Sequence, residues 1–154
     1  MDTVPFWATG LDNLSGHWQT LWYHGINVPA ARAFADRFMK KFGTPPENQA
    51  WGDYIGVRIV LQTLAETRST DAAKIVQHLE KGAEFDLLKG RKGRFRDWDH
   101  QLLQEMYVVK VKDKARSKDQ WDIFDVVEAV PGEKESLEAI QPTQQENPCA
   151  LPAA

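Results

Sequence analysis

The stretch that decides the fold is Gly93-Arg94-Phe95-Arg96-Asp97-Trp98-Asp99-His100-Gln101, followed by Glu105-Met106-Tyr107-Val108-Val109-Lys110-Val111. A basic-aromatic segment turns through two aspartates and enters a run in which side chains alternate between apolar and polar or small apolar neighbours. That is a hairpin-like element, with a short strand at Arg94–Arg96 and a longer one from Glu105 to Lys112. The longer strand stops at Asp113, and a polar run with Lys114, Arg116, Lys118 and Asp119 separates it from a last strand, Trp121 to Val127.

Working backwards, Ser69-Thr70-Asp71 offers an N-cap for a helix carrying Ala72, Ile75, Val76 and Leu79 and closed by Gly82. A longer helix runs from about Asn48 to Thr67. Trp51, Tyr54, Ile55, Ile59, Leu61, Leu64 and Ala65 form its apolar face, and Val57 and Val60 widen it. Gly52 and Gly56 in that helix suit close approach by another backbone, since each weakens the helix by about 1 kcal/mol relative to alanine. Before it, Asn27-Val28-Pro29 starts a helix with Ala31, Phe34, Ala35, Phe38 and Phe42 at helical spacing, and Gly43 stops it. Val4 to Thr9 is short, apolar and aromatic, and reads as a buried strand. Leu11 to Ile26 shows no sustained period and reads as a structured loop with a helical turn around His17 to Trp22. The order of elements is that of an α/β protein with three main helices and several strands.

Composition narrows the function. The 154 residues are 42% hydrophobic and 27% charged, as in soluble globular proteins. A net charge of −3 leaves no global basic field, so nucleic acid is not expected as a partner. The local basic run Lys89, Arg91, Lys92, Arg94 and Arg96 reads as a solvated strand edge or turn. Cys149, the only cysteine, lies in a tail rich in Pro, Gln and Glu and reads as an unpaired thiol. No run of apolar residues reaches the ~18 that cross a bilayer. Met1 to Trp7 lacks the basic and apolar regions of a signal peptide, so the chain as written is expected in the cytoplasm unless an upstream segment is missing.

In this order the pieces resemble the C-terminal part of the branched-chain amino acid (Leu/Ile/Val-type) solute-binding proteins of ABC transporters, within the type I periplasmic binding protein family. Phe6-Trp7-Ala8-Thr9 comes first, then the helix ending Lys41-Phe42-Gly43-Thr44-Pro45-Pro46, then Trp51-Gly52-Asp53-Tyr54-Ile55-Gly56-Val57. Ser69-Thr70-Asp71, Phe85-Asp86, Phe95-Arg96, Asp99-His100-Gln101 and Tyr107-Val108-Val109 follow, so the likeness covers about residues 4 to 112. It implies a partial type I periplasmic-binding-protein fold over 1–127, while the Pro, Glu, Gln and Ala that dominate from Pro131 onward make 128–154 an expected extended or disordered tail. It also implies that the chain passes from one lobe to the other near Pro45 to Trp51, leaving incomplete sheets whose exposed edges favour self-association.

The function implied is a solute-binding component of an ABC importer. It would close on an amino acid or similar small polar solute and dock on an ABC permease, in the periplasm for the whole family. Aromatic residues are the expected ligand contacts: Trp51 and Tyr54 near the cleft mouth, then Trp22 and Tyr23. No cofactor, metal or catalytic residue is expected. His17 and His24, seven apart with Asp12 nearby, read as loop histidines rather than ligands, for want of a third ligand. Asp97, Asp99 and His100 read as a turn before they read as a hydrolase site. A ligand-sensing regulatory domain and a truncated product without activity of its own remain alternatives.

Overall fold

The computed structural model describes residues 1–147, so Cys149 lies outside the described residues. The helices expected from capping and periodicity form where their signals stand: α2 at Pro29–Phe42, α3 at Asn48–Thr67 and α4 at Ala72–Glu80. Pro29 opens α2, and Gly43 ends it in the left-handed conformation, φ 73°. Glu47 caps α3 with both carboxylate oxygens, Oε1 accepting the Ala50 N–H and Oε2 the Gln49 N–H at 2.7 Å each. Asp71 caps α4 by accepting the Lys74 N–H at 3.0 Å.

Val4–Thr9, expected as a strand, is instead a short helix, α1. Pro5 sits in its first turn and the Thr9 hydroxyl donates back to the Pro5 carbonyl at 2.8 Å. A six-residue apolar run has no period long enough to separate helix from strand. The opposite correction applies to His17–Thr20, expected as a loop with a helical turn: it is strand β1. Its identity is set by a remote partner, β5 (Met106–Val111), with His17 opposite Lys110 and Thr20 opposite Tyr107.

Two three-stranded antiparallel sheets result. One has the order β1-β5-β6, where β6 is Phe124–Val130, three residues later at both ends than the run expected from Trp121. The other has the order β2-β3-β4, from Glu84–Phe85, Gly93–Phe95 and Leu102–Leu103. Gly93 is required in that sheet, because a Cβ there would lie 2.4 Å from Leu87 Cδ1 and 2.9 Å from the Leu103 carbonyl oxygen.

One continuous core holds these layers together. It includes Trp22, Tyr23 and Phe34 from before Pro45 and Trp51, Phe85, Tyr107 and Phe124 from after it. Asn48, at the start of α3, accepts the Trp22 N–H at 2.8 Å and donates to the Thr20 hydroxyl at 2.8 Å. The residues on either side of the passage between lobes expected near Pro45 to Trp51 share this core.

The basic run also differs from expectation in part. Lys89 and Arg96 are each only 5% exposed, whereas Lys92 between them is solvated, as expected of the run. Arg96 pairs bidentately with Asp99, stacks on Trp98 with 4.0 Å from its guanidinium carbon to the ring centroid, and donates to the Pro142 carbonyl. Arg91 donates to the Gly132 carbonyl and Arg94 to Glu138. These arginines hold the segment after β6 against the small sheet, and Leu137 is buried there. The described part of 128–154 thus starts as the end of β6 and continues as a pinned segment, where composition alone suggested an extended or disordered tail.

Candidate functional site

The turn between β2 and β3 gathers the chemistry of this protein. Asp86 Oδ1 accepts the Leu88 N–H at 2.9 Å, and Leu88 adopts φ 56°, so the chain reverses sharply. The reversal presents two successive carbonyls to two indoles. Trp51 Nε1–H donates to the Leu87 carbonyl at 2.9 Å and Trp22 Nε1–H to the Leu88 carbonyl at 3.3 Å. The indole rings stack within 7° of parallel, 6.3 Å between centroids. Each buried N–H has a partner, which removes the desolvation cost of placing a tryptophan in a core.

Lys89 follows immediately. Its Nζ lies 4.7 Å from the centroid of Trp51 and 5.7 Å from that of Tyr107. It donates to Gln104 Oε1 and to the Glu105 carbonyl, both at 2.7 Å. Burial lowers its pKa to about 7, with the Glu105 charge opposing the shift. The Glu105 carboxylate, whose charge acts on this ammonium, is held through Oε1, which accepts the Gly90 N–H at 2.7 Å and the Tyr107 O–H at 2.5 Å. Burial, and then Glu105, push the Tyr107 phenol well above its ordinary range, so it stays a donor.

The four aromatics expected at a ligand fall into two groups. Trp22, Tyr23 and Trp51 are at most 4% exposed, and their polar atoms are engaged with backbone. Tyr23 O–H donates to the Trp121 carbonyl at 3.1 Å and accepts the Phe124 N–H at 3.3 Å. Tyr54 is 36% exposed, with its ring stacked on Phe34 at 4.6 Å and Arg58 over it. Beyond it, α3 exposes Val57, Val60 and Leu61, each by more than half. The structure brings Trp22 and Trp51 together, and Tyr54 lies three residues along α3 from them.

The other clusters disperse. Asp99 is held by Arg96, which lowers its pKa, and also accepts the Gln101 N–H at 3.1 Å, as expected of a turn. His100 bonds Glu80 at 2.8 Å. Asp12 pairs with Lys114, and His24 packs against Tyr23 at 4.3 Å. Among the described residues no group of three or more His, Cys, Asp or Glu is placed to hold a metal ion. Sequence reasoning missed the Lys89–Glu105–Tyr107 cluster; its only trace is the apolar Leu87-Leu88 immediately before Lys89.

Two small antiparallel sheets and the helices α2 to α4 thus share one core, in which Trp22, Tyr23 and Trp51 are buried and beside which Tyr54 reaches the surface. The chain belongs to the periplasmic binding protein family, whose model matches residues 1–117. Its fold is part of the type I fold of that family.

Three solved structures illustrate this. A periplasmic binding protein from Burkholderia mallei is 30% identical over 98% of this chain, with a TM-score of 0.84. A branched-chain amino acid ABC transporter periplasmic ligand-binding protein from Burkholderia xenovorans is 30% identical over 85%, TM-score 0.74. An ABC-type branched-chain amino acid transporter protein from Rhodopseudomonas palustris is 31% identical over 81%, TM-score 0.69. The chain spans 38%, 33% and 33% of their respective lengths. No curated protein sequence matches it.

Proposed function

We propose that this chain is the solute-binding part of a periplasmic ABC importer component, taking an amino acid or similar small polar solute without catalysis. The family match over residues 1–117 carries this reading. In this reading the lobes close on the solute and the protein docks on a permease, neither of which needs a covalent step. Tyr54 is proposed as the direct ligand contact, because it alone of the four expected aromatics combines a supported ring with access to solvent. Trp51 supports that wall from behind, and Trp22 and Tyr23 fix the core on which it rests. The exposed apolar side of α3 is proposed to meet either a second copy or the part of the fold that this chain does not span.

Calorimetric titration of the chain with a pool of amino acids, amides, short alcohols and aldehydes tests this. Saturable binding that is lost in Tyr54→Ala, with the melting curve unchanged, is the expected result. Binding that survives Tyr54→Ala removes the proposed contact, and a folded monomer that binds nothing in the pool removes the reading for this chain.

A further inference from the structure

Helix α3 carries, toward its two ends, two opposite charges that the rest of the chain leaves unpaired. Arg58 on this helix bonds Asp86, Glu66 bonds His78, and Glu47 caps the first turn. Asp53 and Arg68 are exposed, and neither side chain has a partner among the described residues. Between them lies the apolar face: Val57, Val60 and Leu61 are each more than half exposed, and Leu64 is partly exposed. At 3.6 residues per turn, Asp53, Val57, Val60, Leu61, Leu64 and Arg68 fall within about 100° of one another and form one stripe. The successive spacings along it are 4, 3, 1, 3 and 4 residues, the same from either end.

This symmetry favours a second copy over the rest of the fold as the occupant. A second copy running antiparallel, related by a two-fold axis between Val60 and Leu61, meets the same spacings in reverse. Val57 then faces Leu64 of the other copy, and Val60 and Leu61 each lie near their own counterparts. Asp53 comes level with Arg68 of the other copy at both ends, so apolar and charged positions match together. A parallel second copy would instead set Asp53 against Asp53 and Arg68 against Arg68. An unrelated surface calls for no such palindrome.

We propose that this stripe is a self-docking surface, on which two copies of the chain pair α3 against α3 in antiparallel, with Asp53 bonded to Arg68 of the other copy. One helix face supplies far fewer contacts than the roughly 20–30 residues a side of a stable interface, so the dimer is weak and forms with rising concentration. The pairing needs no solute, so it stands or falls apart from the solute reading.

The test is sedimentation equilibrium of the 154-residue chain over a concentration series, in reductant so that Cys149 does not cross-link. The expected result is a monomer–dimer equilibrium that weakens as salt is raised. Asp53→Arg and Arg68→Asp should each weaken dimerisation by about tenfold, since each sets like charges together at both ends. The two reversals in one chain, Asp53→Arg/Arg68→Asp, should restore it to within about threefold of the parent. Aspartate suits the left-handed φ of 51° at position 68, and circular dichroism confirms each fold. A second measurement fixes the register without any charge change. With Cys149→Ser, Val60→Cys should form a disulfide across the two-fold on oxidation, whereas Thr70→Cys, exposed beyond the stripe, should not. A chain monomeric at every concentration, single reversals without effect, a double reversal no better than either single, or no cross-link at position 60 would each overturn the proposal.

Discussion

Helices α2 and α3 are neighbours in the chain and touch through Phe34 and Tyr54, yet they use their apolar residues differently. α2 buries Ala31, Phe34 and Ala35 along one stripe and turns Arg32, Asp36 and Lys40 to solvent. α3 buries Trp51, Ile55, Ile59 and Thr63, but its other side carries Val57, Val60 and Leu61 at 59%, 55% and 60% exposure. Gly56 on that side has open space where a Cβ would stand. The one-sided helix packs within this chain along most of its length, leaving only Phe42 at its end 57% exposed. A helix apolar on both sides is built to be covered on both.

The inner side of α3 should dominate stability. Trp51→Ala removes a buried indole, its bond to Leu87 and the face under Lys89, and is expected to cost about 3–5 kcal/mol in urea unfolding. A loss below about 1 kcal/mol would mean that the indole pair is not the anchor described. Next in size, Gly93→Ala should lose about 1–3 kcal/mol, because its methyl meets Leu87 and a backbone oxygen that has little freedom to move. Unchanged stability there would show that the small sheet yields.

A pH series sharpens the contrast from the α2 side of the core. Burial lowers the pKa of His24 from 6.5 to about 4, so the unfolded chain takes up its proton first as pH falls. The stabilisation is complete above pH 6.5 and is lost progressively toward pH 4, by up to about 3 kcal/mol. Urea midpoints at pH 7.5 and 4.5 should differ accordingly, and His24→Phe should flatten the difference; an equal slope in that variant would assign it elsewhere. The smallest effect on stability is expected on the outer side of α3. Val57→Lys/Leu61→Glu should stay within about 0.5 kcal/mol of the parent while shifting size-exclusion elution from an associated species to the monomer. An unchanged elution profile would show that this face is not where copies meet.

Which parts could be read in the sequence follows from how local their causes are. α2, α3 and α4 announce themselves because proline, acidic caps and glycine act within one turn of the residues that they order. β1 could not be read, because its strand character comes from residues about 90 positions later. Val4–Thr9 was too short to show a period. At the site, the aromatics were visible as residue types, but which of them reach solvent depends on the Leu87–Lys89 reversal. Lys89 looked like one member of a basic run; only packing shows that its amine lies over Trp51 and is buried.

The pairing of β1 with β5 also orders events during synthesis. His17 to Thr20 have no sheet partner until Met106 to Val111 have been made, whereas α3, α4 and the small sheet draw on neighbours close in sequence. Closing so long a loop is slow relative to forming local contacts. A nascent chain therefore carries the tryptophan-bearing edge of β1 unpaired while the residues between it and β5 are made, and β1 finds its place later than the helices that follow it.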